Sequence, residues 1–182
     1  MKRTLVVNLI GGPGVGKSTT MAALFSKLKQ NDVDCEQVTE FAKELVWEAR
    51  NETFKDELYI FAKQAHRLFR INGKVDIVVT DRPLILTCYY AQGDKPLCDL
   101  CYSEFSKYYS LNIFLEREKV YNPNGRNQTE DQAKEVDVGL KKVLEDYNIP
   151  YKSLPGNSKS IDEIYDMIMT LYLNGFTDGT LN

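Results

Sequence analysis

The chain has 182 residues, of which 43% are hydrophobic and 27% charged, and its formal net charge is -3. This composition is typical of a folded domain and excludes a disordered chain, and the acidic balance argues against general nucleic-acid binding. No apolar run approaches the roughly 20 residues of a membrane-spanning helix, and the apolar start is too short for a secretory signal. We therefore expect a single cytoplasmic domain over 1–182 without a membrane partner, whose oligomeric state the composition leaves open.

Short apolar runs alternate with segments of helical periodicity along the chain. The apolar runs predict five strands, at 5–10, 35–38, 77–79, 111–115 and 151–154. Apolar residues at helical spacing predict helices at 21–28, 41–50, 58–69, 133–147 and 161–171. TEDQ at 129–132 and SIDE at 160–163 are typical of capping boxes, whereas 92–110 is less regular, with a GDKP turn before an aromatic-rich helical stretch. The alternation predicts an α/β domain whose parallel sheet is covered on both faces.

The first strand is followed by GGPGVGKS at 11–18 and then by a helical pattern. This is the Walker A pattern, and a strand before it with a helix after it is the context that supports the assignment. Glycines let backbone N–H groups surround a phosphate, Lys17 can reach the β- and γ-phosphates, and the Ser18 hydroxyl can bind Mg²⁺. The alternative is a glycine-rich turn that only joins strand to helix. The residues predicted to hold a nucleoside triphosphate are Gly12, Pro13, Gly14, Val15, Gly16, Lys17, Ser18 and Thr19.

Charged residues follow the second and third predicted strands. Because ligands bind at the carboxyl ends of parallel strands, Glu40, Asp81 and Arg82 are expected beside the phosphate loop. Asp81 can organise Mg²⁺ through water, and Arg82 can hold an acceptor or the transferring phosphate. Glu40 can take a proton from an acceptor hydroxyl, or it can be a first-turn carboxylate that only complements a helix dipole.

Two further pairs of polar residues are candidates for ligand contacts. Gln64 and Arg67 lie three apart on a predicted helix, so they share a face and can contact a base and a phosphate; a solvated helix face is the alternative. Arg117 and Arg126 bracket a polar segment after the fourth strand. We predict that 116–128 is a lid whose arginines stabilise the transferring phosphoryl group, against the alternative of two solvated loop arginines.

Other classes of P-loop protein fit the sequence less well. No NKxD motif is present, which argues against a GTPase, and 182 residues is short for a motor with a helical lid domain. A module that binds ATP without transferring phosphate stays open.

A zinc site is a separate possibility that rests on Cys98 and Cys101, which have the spacing of half a zinc knuckle. No second CxxC exists and the single histidine is remote, so we expect reduced thiols instead.

At these residues the chain resembles the thymidylate kinase and deoxynucleoside kinase group of P-loop kinases. Within that group it looks most like the small AAA-type kinase-like domains that include ribosylnicotinamide kinase and many phage proteins. The likeness covers about three quarters of the chain and rests on GGPGVGKST, TEF, Gln64 with Arg67, TDRP, and ERE with GRNQTEDQA, at 11–19, 39–41, 64–67, 80–83 and 116–133. For a phage-encoded protein the expected location is the host cytoplasm.

The resemblance implies a three-layer P-loop NTPase fold with a five-stranded parallel sheet and a lid. It implies transfer of the γ-phosphate of ATP, with Mg²⁺, to a nucleoside- or nucleotide-like acceptor. Lys17, Asp81, Arg82, Arg117 and Arg126 are then catalytic, and Glu40 is the base or an acceptor anchor. Gln64, Arg67 and Arg82 contact the acceptor, whereas Gly156 and Asn157 lie against the adenine.

The resemblance leaves the acceptor open. Arg82 is followed by Pro83, where thymidylate kinases usually have an aromatic residue and deoxynucleoside kinases a serine. A rival interpretation is a phage-type enzyme that phosphorylates 5-hydroxymethyluracil within DNA, which needs room for a flipped base. A hydroxyl acceptor requires a general base, whereas a monophosphate already carries its nucleophilic anion. If Glu40 is catalytic the acceptor is a hydroxyl, and if Glu40 only anchors a sugar a monophosphate is equally open.

Overall fold

The computed structural model describes residues 3–48, 51–118 and 129–175. Along these ranges one or more helices separate each strand from the next, and two short 3-10 helices lie at Asn51–Lys55 and Leu84–Leu86. The strands are β1 Leu5–Ile10, β2 Cys35–Val38, β3 Ile77–Thr80, β4 Tyr109–Glu116 and β5 Lys152–Pro155. The helices are α1 Lys17–Gln30, α2 Ala42–Trp47, α3 Glu57–Phe69, α4 Thr87–Tyr90, α5 Lys95–Phe105, α6 Glu130–Asp146 and α7 Lys159–Leu173.

The strands form one parallel sheet in the order β2-β3-β1-β4-β5. β1 lies at its centre, with Leu5 in register with Ile77 of β3 and Tyr109 of β4. Every residue of β1 is buried, as expected of a strand covered on both faces. The predicted five-stranded parallel sheet is therefore confirmed, and the carboxyl ends of β1, β2, β3 and β4 all meet at one edge.

Side chains of β1 divide the core into two layers. Leu5, Val7 and Leu9 pack in one cluster with residues of α1 and α7, whereas Val6 and Ile10 pack in the other with residues of α3, α5 and α6. Successive side chains of a strand point to opposite faces, so continuous apolar runs require helices on both sides. The three-layer prediction is confirmed.

Of the two capping boxes predicted at helix starts, one is confirmed and the other is wrong. At the start of α6, Thr129 and Gln132 form the predicted reciprocal capping box. The box predicted at 160–163 is wrong, because α7 already begins at Lys159 and Ser160 is a buried residue within it. The Asn157 side chain instead accepts hydrogen bonds from the N–H groups of Lys159 and Ser160, at 2.9 and 3.3 Å. A side chain three residues earlier thus supplies the cap.

The segment 92–110 is more regular than its sequence indicates. Within GDKP, Asp94 caps a helix by accepting a hydrogen bond from the N–H of Leu97, and α5 begins at the next residue, Lys95. Cys98 and Cys101 lie on this helix, buried with Cys88 in the core. Burial raises the pKa of Cys98 to about 11, so the thiol stays protonated at neutral pH. Within the described ranges no three His, Cys, Asp or Glu side chains form a metal-binding group, and no helix is long and apolar enough to cross a bilayer.

Candidate active site

The loop between β1 and α1 has the backbone geometry that its glycines predict. Gly11, Gly14 and Gly16 have positive φ angles of 143°, 83° and 107°, which residues with a Cβ adopt with strain. Val15 is buried and fixes the loop to the core. The Lys17 ammonium donates hydrogen bonds to the carbonyl oxygens of Gly11 and Gly12, at 2.6 and 3.0 Å. The chain therefore curls around the lysine, with α1 starting immediately after the turn.

The start of α1 and Lys17 together provide an electropositive corner. Gly16 caps the helix without a side-chain hydrogen bond, so the first-turn N–H groups are left for another acceptor. Burial lowers the pKa of Lys17, and the neighbouring carboxylates of Glu40 and Asp81 oppose this shift. Ser18 and Thr19 are exposed in the first turn. This is the arrangement expected of a phosphate-binding loop.

Asp81 connects the phosphate loop to the neighbouring strand ends. Its carboxylate is buried and accepts a hydrogen bond of 2.6 Å from the Ser18 hydroxyl through Oδ2. Its other oxygen, Oδ1, accepts a hydrogen bond of 3.0 Å from the backbone N–H of Glu40. β3 lies between β1 and β2 in the sheet, so a residue at its carboxyl end can contact both neighbours. The predicted proximity of Glu40, Asp81 and the loop is thus observed.

The oxygen atoms around Asp81 fit a magnesium site. Mg²⁺ prefers oxygen ligands and is usually held by one or two protein groups together with substrate phosphates and water. Here the Ser18 hydroxyl and the Asp81 carboxylate lie at hydrogen-bond distance, beside the loop that curls around Lys17. Both supply hard oxygen ligands. Ser18 and Asp81 can therefore hold the ion directly or through water.

Arg82 lies beneath a pair of carboxylates. Its side chain is 7% exposed; Nη1 is 3.2 Å from Glu40 Oε1 and Nη2 is 3.5 Å from Glu57 Oε2. The ring of Tyr90 covers the guanidinium, with 4.5 Å between its centroid and the Arg82 Cζ. Burial raises the pKa of Glu57, Arg82 opposes that shift, and Glu40 adds to it. Arg82 is thus held in place from three sides, and the carboxylates of Glu40 and Glu57 are more exposed than the guanidinium.

Gln64 and Arg67 share a face of α3, as predicted, and both hold the segment that carries Glu40. The buried Gln64 amide accepts from the N–H of Phe41 at 3.0 Å and donates to the Thr39 carbonyl at 3.3 Å. Arg67 donates to the same Thr39 carbonyl at 3.1 Å and to the Glu44 carboxylate at 2.6 Å. These contacts fix the backbone on both sides of Glu40. Direct contact of Gln64 or Arg67 with an acceptor stays a prediction.

The amide of Gln64 provides a test of this anchoring. We expect Gln64→Leu to lower the free energy of unfolding by about 1–3 kcal/mol, because the buried N–H of Phe41 would lose its acceptor. Urea unfolding would measure the change, with Gln30→Leu as control, since the exposed Gln30 side chain donates a hydrogen bond to the Ser26 hydroxyl one turn away. Unchanged stability combined with weaker acceptor binding would contradict an anchoring role and favour direct ligand contact.

Arg117 at the end of β4 is engaged with the phosphate loop and α6. It donates to the Pro13 carbonyl at 2.9 Å and pairs with the Asp137 carboxylate at 2.8 Å. Asp137 in turn accepts the N–H of Gly12 at 2.5 Å. The pair therefore clamps the outside of the loop, and contact of Arg117 with a transferring phosphoryl group stays a prediction. Arg126 and most of the predicted 116–128 lid lie outside the described residues.

The β5–α7 connection packs directly on the phosphate loop. The buried Gly156 donates its N–H to the Glu116 carbonyl at 2.8 Å. A Cβ at this position would collide with the carbonyl oxygen of Val15 and lie 2.8 Å from that of Glu116. The next residue, Asn157, caps α7 and donates to the Glu118 carboxylate at 2.6 Å. Gly156 and Asn157 thus border the predicted nucleotide site, and their contact with adenine stays a prediction.

Three residues of the site were missed in the sequence. Glu57 has the ordinary pattern of an acidic first turn after the Asp56 cap, and Tyr90 lies in a helix of four residues without a periodic pattern. Asp137 offered a usable signal, because it lies four residues after Ala133 and three before Leu140, both buried positions of α6. A carboxylate on a core-facing stripe needs a partner, and here Gly12 and Arg117 supply it.

The sequence profile described as AAA domain matches residues 6–163. The chain belongs to this AAA domain family. The expectation of a small AAA-type P-loop domain is therefore confirmed. The fold of this AAA domain is similar to the crystal structure of shikimate kinase from Aquifex aeolicus vf5, with 17% sequence identity and a TM-score of 0.49 over 96% of this chain and 99% of the other. No match to a curated protein was found.

Proposed function

We propose that this AAA domain is an ATP- and Mg²⁺-dependent phosphotransferase that moves the γ-phosphate of ATP to a nucleoside, nucleotide or nucleotide-like acceptor. The observation that carries the proposal is the double contact of Asp81, with the Ser18 hydroxyl on one side and the Glu40 backbone on the other. This one buried carboxylate therefore joins the phosphate loop to the charged side chains of Glu40 and Arg82. Phosphoryl transfer requires donor and acceptor to lie in line across the γ-phosphate, and this contact links the two parts of the site that would hold them.

On the donor side, the phosphate loop and the start of α1 surround the phosphates with N–H groups. Lys17 moves its hydrogen bonds from the Gly11 and Gly12 carbonyls to the β- and γ-phosphate oxygens. Ser18 and Asp81 would hold Mg²⁺, which would supply Lewis-acid stabilisation of the charge on the phosphate oxygens. The main contribution of these residues is electrostatic stabilisation prepared before the reaction begins.

On the acceptor side, Glu40 is the residue best placed to act on a hydroxyl. Its backbone is fixed by Asp81, and its carboxylate contacts Arg82 while remaining 28% exposed. As the acceptor oxygen forms its bond to the γ-phosphorus, the bond from that phosphorus to the β–γ bridging oxygen breaks and ADP leaves. Glu40 receives the hydroxyl proton, which is the role of a general base. With a monophosphate acceptor, Glu40 would only position the sugar.

The experiment that tests the proposal is acceptor-stimulated release of ADP from ATP and Mg²⁺. The acceptors are nucleosides, their 5′-monophosphates, nicotinamide riboside, and DNA containing 5-hydroxymethyluracil. Stimulation by one acceptor, lost in Asp81→Asn, is the expected result. Tight ATP binding without stimulation by any acceptor would reject the proposal and support an ATP-binding regulatory module, whereas stimulation by the modified DNA alone would identify a DNA kinase.

A further inference from the structure

The wall formed by Glu40, Glu57, Arg82 and Tyr90 has a net negative charge. Two carboxylates flank one guanidinium, at 3.2 and 3.5 Å, and the aromatic ring closes the remaining side. Side-chain exposure decreases from Glu40 at 28% through Glu57 at 15% to Arg82 at 7%. The two glutamate side chains are therefore more accessible to an incoming molecule than the arginine, although Oε2 of Glu57 is itself buried. A phosphate group would be repelled at this wall, because like charges at short range are unfavourable in a partly buried site.

The contact between Glu57 and Arg82 is incomplete. Within the described part of the chain, Glu57 Oε2 and Arg82 Nη2 are buried and take part in no hydrogen bond. An ion pair held apart at 3.5 Å without a hydrogen bond is costly in a buried setting, so the two atoms are suited to a group from outside. That group must accept from Nη2 and donate to Oε2. A hydroxyl does both, whereas a phosphate or carboxylate oxygen only accepts.

From these observations we propose that the acceptor is an uncharged or cationic molecule that presents hydroxyl groups, and that Glu57 determines this specificity. This inference rests on the proposed phosphotransferase function and narrows its acceptor. One acceptor hydroxyl inserts between Glu57 and Arg82, admitted by rotation of the partly exposed Glu57 side chain. Glu40 contacts the other terminal nitrogen of the guanidinium, Nη1, and faces the hydroxyl that is phosphorylated. An acceptor that already carries a phosphate is rejected by the two carboxylates.

In this arrangement Arg82 contacts the acceptor hydroxyl, which is the role that the sequence predicts, and it has a second role in holding the two glutamates. With 7% of its side chain exposed and carboxylates on both sides, it is a buried counter-charge that keeps Glu40 and Glu57 close together. Removing one of two paired charges leaves the other uncompensated, so Arg82 is a poor position for a clean test. Glu57 is a better position, because it lies at the start of α3 and a glutamine there keeps the shape of the side chain.

The test compares kinetics with matched acceptors: thymidine and nicotinamide riboside, each beside its 5′-monophosphate. Wild-type protein should use the nucleosides with a kcat/KM at least tenfold higher than that of the monophosphates. In Glu57→Gln we expect the KM for the preferred nucleoside to rise roughly tenfold with a smaller change in kcat, because binding rather than chemistry is lost. Discrimination against the monophosphate should also decrease, since one repelling charge has been removed.

Two further variants separate specificity from structural damage. Glu52→Gln makes the same change at an exposed residue that pairs with Lys55, and should leave both kinetic constants unchanged. Glu57→Asp keeps the charge but shortens the side chain, so it should keep the rejection of monophosphates while raising the nucleoside KM. A structural role alone would not separate these two effects.

The outcomes distinguish the inference from the function on which it rests. If no acceptor stimulates ADP release, the phosphotransferase proposal fails, and this inference fails with it. If acceptors do stimulate release but monophosphates or modified DNA are preferred to free nucleosides, only the inference is overturned. Glu57→Gln kinetics equal to those of Glu52→Gln would also overturn it.

Discussion

Asp81→Asn should lower kcat for acceptor-dependent ADP release roughly 100- to 1,000-fold, as when one preorganised electrostatic contact is removed from an active site. The substitution tests the charge and little else. An asparagine oxygen can still accept the Glu40 N–H, and its amide can donate to the Ser18 hydroxyl, so both contacts of the buried side chain have a replacement. What disappears is the negative charge, and with it the attraction for Mg²⁺.

The measurement is initial rate as a function of Mg²⁺ concentration at saturating ATP and acceptor. Asp81→Asn should need a higher Mg²⁺ concentration for half-maximal rate, in addition to the fall in kcat. The matched control is Asp162→Asn, the same change at an exposed carboxylate that pairs with Lys27. Wild-type Mg²⁺ dependence in Asp81→Asn would show that this carboxylate is only a structural link between the strands.

Gly156→Ala should weaken ATP binding at least tenfold and destabilise the protein by about 1–3 kcal/mol. The added methyl group would overlap the Val15 carbonyl and crowd that of Glu116, and neither backbone atom can rotate away as a flexible side chain can. The phosphate loop must then shift, since Val15 is one of its residues. Thermal unfolding with and without ATP and Mg²⁺ measures both effects, because a ligand stabilises the folded state in proportion to its affinity.

A second glycine provides the control for loss of stability alone. Gly93 has a φ of 87° and open space around its missing Cβ, so Gly93→Ala introduces backbone strain without a collision. This variant should lose about 1–2 kcal/mol of stability yet retain the full stabilisation by ATP. If Gly156→Ala retains that stabilisation too, the β5–α7 connection does not support the phosphate loop.

The features that the sequence predicts correctly are those whose structure is determined by a few neighbouring residues or by the general geometry of a parallel sheet. Buried strands such as Leu5–Ile10 are recognisable because a strand covered on both faces must be apolar throughout. The phosphate loop is recognisable because tight curvature around an anion requires glycine. The meeting of Ser18 with Asp81 is also predictable, since parallel strands bring their carboxyl ends to one edge of the sheet.

The remaining features depend on which elements the fold brings together. The pairing of Arg82 with Glu57 requires the start of α3 to lie beside the end of β3, and no short motif specifies that. The pairing of Arg117 with Asp137 similarly joins β4 to α6. The capping box predicted at 160–163 is a different kind of error. The residues match the motif, but the helix begins earlier, and the Asn157 side chain accepts the N–H groups of Lys159 and Ser160. Tertiary contacts therefore decide the two ion pairs, whereas at 160–163 one local cap takes the place of another.

The supports of the phosphate loop come from the far end of the chain. Gly12 is bonded to Asp137, 125 residues later, and Gly156 fits against Val15. During synthesis on the ribosome, β1 and the glycine loop emerge long before either support, and contacts of such large separation form late. The chain should therefore bind nucleotide only after its C-terminal strands have docked. ATP would then stabilise fully folded chains and would not stabilise chains that are still being synthesised.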